Sequence, residues 1–446
     1  MLLANWGNYP RIETTLCTPA SIEAAEEEIC RAPSLTARGL GRCYGDSACN
    51  SNLVLSTLRL NNMVSFDMQT GVLVAESGVS LADIVTTFIP RGWFLPVTPG
   101  TTFVTLGGAV ASDVHGKNHH VAGTIGQHVC WLDVLTAEKG LVRCSPEEHA
   151  DLFYATCGGH GLTGIVVRVA LQMQPVSSAW VLQTTTRTAD LRTIMQAFEQ
   201  NGDYSYSVAW IDCLKKGKNM GRSVLMCGEF ANPHQITQSQ RGLLLDPMNK
   251  RQISVPFDFP SLALNPLSVR IFNSLYYGKT PAGVTKNIVS FKTFFYPLDS
   301  IRCWNRIYGK RGFTQYQFVI PKEAAADGLP RILERIAGSG LGSFLAVLKL
   351  FGPQKHPVGN ISFPTPGYTL ALDFPISAKL FSLLDELDAM VLDFGGRHYL
   401  TKDSRMAPAT LRKGYGQLLD DFLETTARWD PRGKFLSSQA RRLGLA

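Results

Sequence analysis

Four glycine-rich loops crowd between residues 38 and 165, and they constrain the fold more than anything else in the chain. They read Arg38-Gly39-Leu40-Gly41-Arg42-Cys43-Tyr44-Gly45-Asp46, Pro99-Gly100-Thr101-Thr102-Phe103-Val104-Thr105-Leu106-Gly107-Gly108-Ala109, His115-Gly116-Lys117-Asn118-His119-His120, and Cys157-Gly158-Gly159-His160-Gly161-Leu162-Thr163-Gly164-Ile165. Glycine inside an element costs roughly 0.5–1 kcal/mol relative to alanine, so repeated use implies backbone pressed against something. Closely spaced glycines also let successive N–H groups converge on one point, forming an anion nest. Any one of these loops reads equally well as a plain turn. Four together predict a wall built for an extended dinucleotide. The first loop does not match the G-x-G-x-x-G fingerprint cleanly, which disfavours nicotinamide binding in that style there.

A chain of 446 residues is too long for one compact core and predicts two domains. Lys+Arg number 43 and Asp+Glu 36, a net charge of +7 spread without basic blocks, which argues against nucleic acid as a partner. That excess suits a mildly basic enzyme, an anionic substrate or an anionic membrane surface. The ten cysteines show no C-x-x-C pair and no zinc spacing, as expected of free thiols in a reducing compartment. His115, His119 and His120 have no interleaved acidic partner, so no metal is expected there. No signal-peptide pattern or membrane-length apolar run is visible, so a cytoplasmic location is expected, with any membrane contact peripheral on the inner face.

Through about residue 176, short helices (Ser21–Ala32, Ser80–Phe88) alternate with strand-like runs at Leu53–Ser56, Val72–Glu76, Trp131–Thr136 and Ile165–Met173. From about 178, strands at Trp180–Thr185, Tyr204–Ile211, Gly312–Ile320, Ser343–Leu350 and Tyr368–Phe374 alternate with helices near 188–200, 322–337 and 377–392. This order predicts an α+β domain on a largely antiparallel sheet. Periodicity fades between about 230 and 285, which reads as a long irregular stretch. One helix, Leu411–Ala427, is expected near the end.

In the order GLGRCYGD, PGTTFVTLGGA, HGKNHH, GGHGLTGI, the chain resembles the FAD domain of the vanillyl-alcohol-oxidase type flavoproteins. With QYQFVIP, KLFGP, PGYTLALDFP, FGGRHYLTKDSR and WDPRGKF, the resemblance spans the chain and narrows to the decaprenylphosphoryl-β-D-ribose 2′-oxidase family. That family is the flavoprotein half of an epimerase that makes an arabinose donor for cell-envelope arabinan. The resemblance implies a two-domain α+β fold: an FAD-binding domain at 1–177, a substrate domain at 178–397, and a segment at 398–446 returning to the first. It implies pyrophosphate contacts at Gly39, Leu40, Gly41, Arg42 and Cys43. Pro99, Gly100, Thr101, Thr105, Gly107, Gly108 and Ala109 would run along the ribityl chain and rings. His115, Gly116, Asn118 and His119 would approach the isoalloxazine, and Gly164 with Ile165 the adenosine end. Arg42 stands where many relatives tether FAD through a histidine, so non-covalent FAD is implied.

On the substrate side the same resemblance points to Tyr44, His115, Lys117, Gln315, Gln317, Lys349, Tyr399 and Lys402. Tyr44 or Lys402 would be the base, and His115 would orient the hydroxyl or stabilise reduced FAD. Gln315 and Gln317 share a strand face, which reads alternatively as the solvent face. Lys402 and Arg405 around Asp403 read alternatively as a surface ion pair. Tyr399 and Lys402 need a turn to bring both to one pocket. Ala371 stands where the family carries a cysteine, and Thr369 where it carries an amide. The implied reaction is oxidation of the 2′-hydroxyl of a polyprenylphosphoryl ribose, with a quinone as electron acceptor and a separate NAD(P)H-dependent short-chain reductase completing the inversion. Phe257, Phe259, Leu262, Leu264, Phe272, Leu275, Tyr276 and Tyr277 would cover the prenyl chain or touch a membrane. The rivals are an oxidase of another sugar, alditol, aldonolactone or hydroxy acid, a flavin-free binding protein, and, weakest, a metal hydrolase using the His115–His120 cluster.

Overall fold

A computed structural model describes residues 1–238, 242–246, 253–260, 264–354 and 357–445. Branched and aromatic residues at alternate positions build its largest element, an eight-stranded sheet. In spatial order its strands are Val284–Ser290, Trp180–Thr188, Ser223–Phe230, Tyr206–Ile211, Ala346–Phe351, Gly367–Pro375, Phe313–Pro321 and Arg397–His398. Every neighbouring pair is antiparallel. Helices Leu191–Gln200, Lys322–Ser339 and Ala378–Asp393 bury their apolar sides in the same core as this sheet. Because side chains alternate along a strand, the register then decides what the opposite face presents. Gln317 lies opposite Ala371, which lies opposite Val347, while Lys349 sits beside Thr369 and Gln315 beside Asp373.

The N-terminal third supplies two smaller sheets. Thr15–Cys17, Leu53–Ser56 and Leu35–Arg38 form a parallel trio. Gly140–Cys144, Val129–Thr136, Ile165–Gln172, Val72–Glu76 and Met63–Phe66 form an antiparallel five-stranded sheet. Helix Ile22–Arg31 is capped by Ser21, whose hydroxyl accepts from Ala24 N–H, and Leu81–Phe88 begins with a full capping box at Ser80 and Asp83. The end of the chain packs back on this part. Trp429 joins its core, Phe435 pairs with Leu35, and Lys434 Nζ donates to the Ile29 carbonyl at 2.6 Å.

Two expectations fail. The stretch expected to be irregular contains a 14-residue helix, Pro266–Lys279, started by Asn265 capping Leu267 and Ser268 with Pro266 at its first position. Apolar residues on both its buried and its exposed sides had blurred its periodicity. The single terminal helix is two, Pro408–Tyr415 and Gln417–Trp429, because Gly416 takes φ +51 between them. A third short helix, Ser438–Leu443, follows. Among the described residues all ten cysteines are free, no group of His, Cys, Asp and Glu is arranged to hold a metal ion, and no helix is long and apolar enough to cross a membrane.

Candidate active site

The first two glycine loops meet each other directly. A Cβ on Gly39 would lie 2.0 Å from Thr105 Oγ1, and Gly41 takes φ +63, so neither position admits a side chain without disruption. Arg38 braces the first loop by donating to the carbonyls of Ala4 (2.8 Å) and Ala48 (3.2 Å) and to Asn5. The second loop is clamped by a residue far along the chain. Asp299 accepts from Thr101 Oγ1 at 2.6 Å, Thr102 N–H at 2.7 Å and Thr102 Oγ1 at 2.8 Å. Between these loops and the open face of the large sheet lies a cavity of about 510 Å³.

Most residues singled out from the sequence converge on its wall. Gly39, Leu40, Gly41, Arg42, Cys43, Tyr44, Pro99, Gly100, Thr101, Thr105, Gly108, Ala109, His115, Gly116, Lys117, Gln315, Gln317, Lys349, Tyr399 and Lys402 all line it. Tyr399 and Lys402 arrive together through the 3₁₀ turn Leu400–Lys402, in which residues three apart eclipse. Gln317 is 5% exposed, which rules out the solvent-face reading.

Five expected residues lie off this wall. Gly107 packs against Ser77, and Asn118 Nδ2 donates to the Pro96 carbonyl at 2.8 Å, shaping the loop from behind. His119 points away, its Nε2 2.8 Å from Gln354 Oε1 and its ring 4.3 Å from that of Phe351. Gly164 abuts the Leu135 carbonyl, and Ile165 is fully buried in the core of the parallel trio. Nor do Lys402, Asp403 and Arg405 form a surface ion pair. Asp403 pairs with Arg442 at 2.8 Å, Arg405 with Asp388 and Asp385, and Lys402 faces the cavity. Of the proposed prenyl-covering residues, Phe272 and Tyr276 line the cavity, Phe257 and Leu275 are exposed, and Leu262 lies outside the described residues.

The electrostatics of the wall are one-sided. Arg42, Lys117, Lys349 and Lys402 line it, and among the described residues no Asp or Glu does. Arg42 stacks on Trp6, its guanidinium 3.9 Å from the ring centroid. Lys117 donates to the Phe294 carbonyl and sits over the Phe294 ring, and burial alone pushes its ammonium down to about 7. Burial, then the charges of Lys402 and Lys117, push Lys349 down to about 7. Neither Lys349 nor Lys402 forms an ion pair among the described residues, and both line the cavity. Lys402 lies 4.2 Å from the Tyr44 ring centroid and is held below the ordinary lysine value by burial. The nearest opposing charge is Asp373, behind the wall. Burial raises its carboxyl, and Gln315 Nε2 donates to it at 2.6 Å.

His115 is 6% exposed, with Nε2 at 3.1 Å from the Gln317 amide nitrogen. Burial and the charges of Lys349, His119 and Lys402 hold it neutral, well below its usual range. Its Nδ1 is buried without a hydrogen-bond partner. Gln317 also donates to Thr369 Oγ1 at 3.2 Å, so Thr369 fixes the amide that fixes His115. Reading the sequence missed Asp373, Asp299 and His160, which lines the cavity with its imidazole pushed down by burial to about 4. Only sheet register or a long-range contact brings the two carboxylates into play. His160 stood inside the fourth glycine loop, where its neighbours offered a signal.

A glycine-walled, cation-lined, carboxylate-free cavity fits a dinucleotide pyrophosphate, and the wall has room where side chains are missing. An FAD binding domain matches residues 16–145, which makes this a flavoprotein. The chain is 38% identical to the decaprenylphosphoryl-β-D-ribose oxidase of Mycolicibacterium smegmatis, over 99% of this chain and 97% of that one. It is 34% identical to an uncharacterised protein of Streptomyces coelicolor (82% and 99%) and 21% identical to an L-gulono-1,4-lactone dehydrogenase of Mycobacterium tuberculosis (98% of each). The chain belongs to the decaprenylphosphoryl-β-D-ribose oxidase family of FAD-dependent oxidoreductases acting on CH–OH donors.

Proposed function

We propose that this protein oxidises the 2′-hydroxyl of a polyprenylphosphoryl-β-D-ribose to the 2′-keto sugar, holding FAD non-covalently. FAD, when bound, supplies a two-electron acceptor for hydride. The observation that carries the substrate assignment is the company the lysines keep. Lys117, Lys349 and Lys402 share the cavity with an apolar aromatic arm of Trp210, Phe272, Tyr276, Trp304 and Phe344. Cations without carboxylate partners suit the phosphate, and the aromatic arm suits the start of a prenyl chain.

In this reading Gly39–Cys43 and Pro99–Ala109 hold the cofactor, and Arg42, occupying the tether position, leaves it unlinked. Lys402 takes the hydroxyl proton. A phenol pushed well above its ordinary value by burial, as at Tyr44, is a poor base, whereas an ammonium pushed downward yields a neutral amine more readily. Tyr44, which accepts from Gln315 at 3.3 Å, positions. Neutral His115, oriented by Gln317, offers a hydrogen bond to the sugar. The keto product passes to an NAD(P)H-dependent short-chain reductase, a quinone takes the electrons, and the lipid-linked substrate sets the work at the cytoplasmic membrane face.

The full-length similarity to an L-gulono-1,4-lactone dehydrogenase supports a second reading, oxidation of a free aldonolactone. A neutral lactone leaves the three lysines without a task. Anaerobic mixing with polyprenylphosphoryl ribose, free ribose, an alditol and an aldonolactone separates the readings. Bleaching of the visible flavin band by the lipid-linked sugar is expected; bleaching only by a free lactone or alditol overturns the substrate assignment and keeps the flavoenzyme.

A further inference from the structure

Helix Pro266–Lys279 has two unlike sides. Val269 and Asn273 are buried, and Phe272 and Tyr276 reach the cavity wall. On the outer side Leu267, Ile271 and Leu275 follow one another at i, i+4 and i+8, exposed by 66%, 53% and 68%. At about 100° per residue these three form one stripe, with Arg270 on one flank and Lys279 on the other. Two exposed apolar residues, Ile253 and Phe257, are tied to the neighbouring strand and turn: Ile253 pairs with Ile301, and Arg306 donates to the carbonyls of Val255 and Pro256. Trp304, in that same turn, lines the cavity.

Charge is concentrated in the same stretch. Residues 264–311 hold eight Lys and Arg against one Asp, which leaves 35 of each sign in the rest of the chain. The entire net charge of +7 therefore belongs to these residues, and the remainder is neutral. Arg270, Lys279, Lys286, Arg302, Lys310 and Arg311 are all exposed. An aliphatic stripe between cations is the signature of a helix lying in a lipid interface, apolar side inward and charges at the headgroups.

We infer that this face docks on an anionic phospholipid bilayer, through the Leu267–Ile271–Leu275 stripe and the flanking Arg270 and Lys279, with the cavity opening beside it. The occupant is a lipid surface because an aqueous protein partner explains the stripe but not the confinement of all excess positive charge to one segment. Docking places Phe272 and Tyr276 between bilayer and cavity, so a lipid-anchored ligand enters without its chain crossing water. The inference does not depend on which sugar is oxidised.

The test is flotation of the FAD-loaded protein with phosphatidylcholine vesicles and with equal-part phosphatidylcholine–phosphatidylglycerol vesicles. Wild type is expected to float with the mixed vesicles only, and to be released by salt. Ile271→Glu, and separately Lys279→Glu, should lower the bound fraction about tenfold or more at unchanged flavin content. Wild type that ignores phosphatidylglycerol, or an I271E protein that floats as wild type does, overturns the inference. So does a wild-type dimer that stays off vesicles and that I271E converts to monomer, because a second copy then covers the stripe. Flavin content and vesicle binding are read without substrate, so failure here leaves the substrate assignment standing.

Discussion

Lys117 and Lys349 are held at about 7 against an ordinary lysine value of 10.5. Below pH 7 both are charged in folded and unfolded states, and the folded protein bears the full cost of burying them. Between 7 and 10.5 the unfolded chain binds more protons, so stability climbs as pH rises through that window. Asp373 has the opposite sign. Its carboxyl is raised by burial, the folded protein binds more protons above pH 3.8, and stability falls as pH rises toward the folded value. The melting midpoint of the FAD-free protein should therefore rise from pH 7 upward, and Lys349→Met should raise the midpoint at pH 7 and flatten the slope. An unchanged slope in K349M removes Lys349 from this account. The same substitution should weaken a phosphorylated substrate by about 2–3 kcal/mol, the worth of a charge-assisted bond in a dry site, read as a higher KM. Lys402→Met is expected to lower kcat by roughly 10²–10⁴, with flavin content unchanged. Tyr44→Phe should cost less, about 1 kcal/mol for one neutral hydrogen bond. A Y44F enzyme as slow as K402M would reverse the two roles.

At the level of elements, the loops need rigid seats, and long-range contacts provide them. Asp299 receives three hydrogen bonds from Thr101 and Thr102, so Asp299→Ala should free the second glycine loop and cost about 2–4 kcal/mol. Gly39→Ala drives a methyl into Thr105 and should abolish flavin retention while leaving the circular-dichroism spectrum native. A G39A protein that still purifies with flavin removes that loop from the cofactor wall. The same elements show how far sequence reading reaches. The β-branched runs at Leu53–Ser56 and Val72–Glu76 were legible because local preference and burial agree there. Helix Pro266–Lys279 was not, since its outward stripe is as apolar as its inward side and the usual contrast between faces is lost. Gly416 hid a helix break because glycine in a helical pattern reads as a tolerated defect until its φ is seen. The wall glycines and lysines were legible as residue types. Asp373 beside Gln315 was not, because a strand register between segments 58 residues apart sets that pairing.

For the molecule as a whole, the cavity joins parts of the chain that are far apart in sequence. Its wall draws on Gly39–Ala48, Thr98–Lys117, the sheet positions Gln315, Gln317, Lys349 and Ala371, and the turn at Tyr399–Lys402. Direct links between these parts include Tyr44 N–H to the Thr401 carbonyl at 3.0 Å, Tyr399 Oη to the Ser112 carbonyl at 2.7 Å, Gln315 Nε2 to Tyr44 Oη at 3.3 Å and Gln317 Nε2 to His115 Nε2 at 3.1 Å. Arg42, Lys117, Lys349 and Lys402 all line the space, and without bound anions their mutual repulsion is uncompensated. On the proposed assignment the FAD pyrophosphate, held at Gly39–Cys43 beside Arg42, offsets part of that repulsion, and the substrate phosphate at the three lysines offsets the rest. FAD should accordingly behave as a structural staple as well as a redox group. Ligand at a hundredfold excess over its Kd stabilises by about 2.7 kcal/mol through mass action alone, which for a chain of this size means a midpoint higher by roughly 3 °C. Thermal melts with and without added FAD measure this, and raising the salt should narrow the gap by screening the FAD-free wall. Equal midpoints with and without FAD would mean that the folded protein does not bind FAD at that concentration, which would remove the cavity as a flavin site.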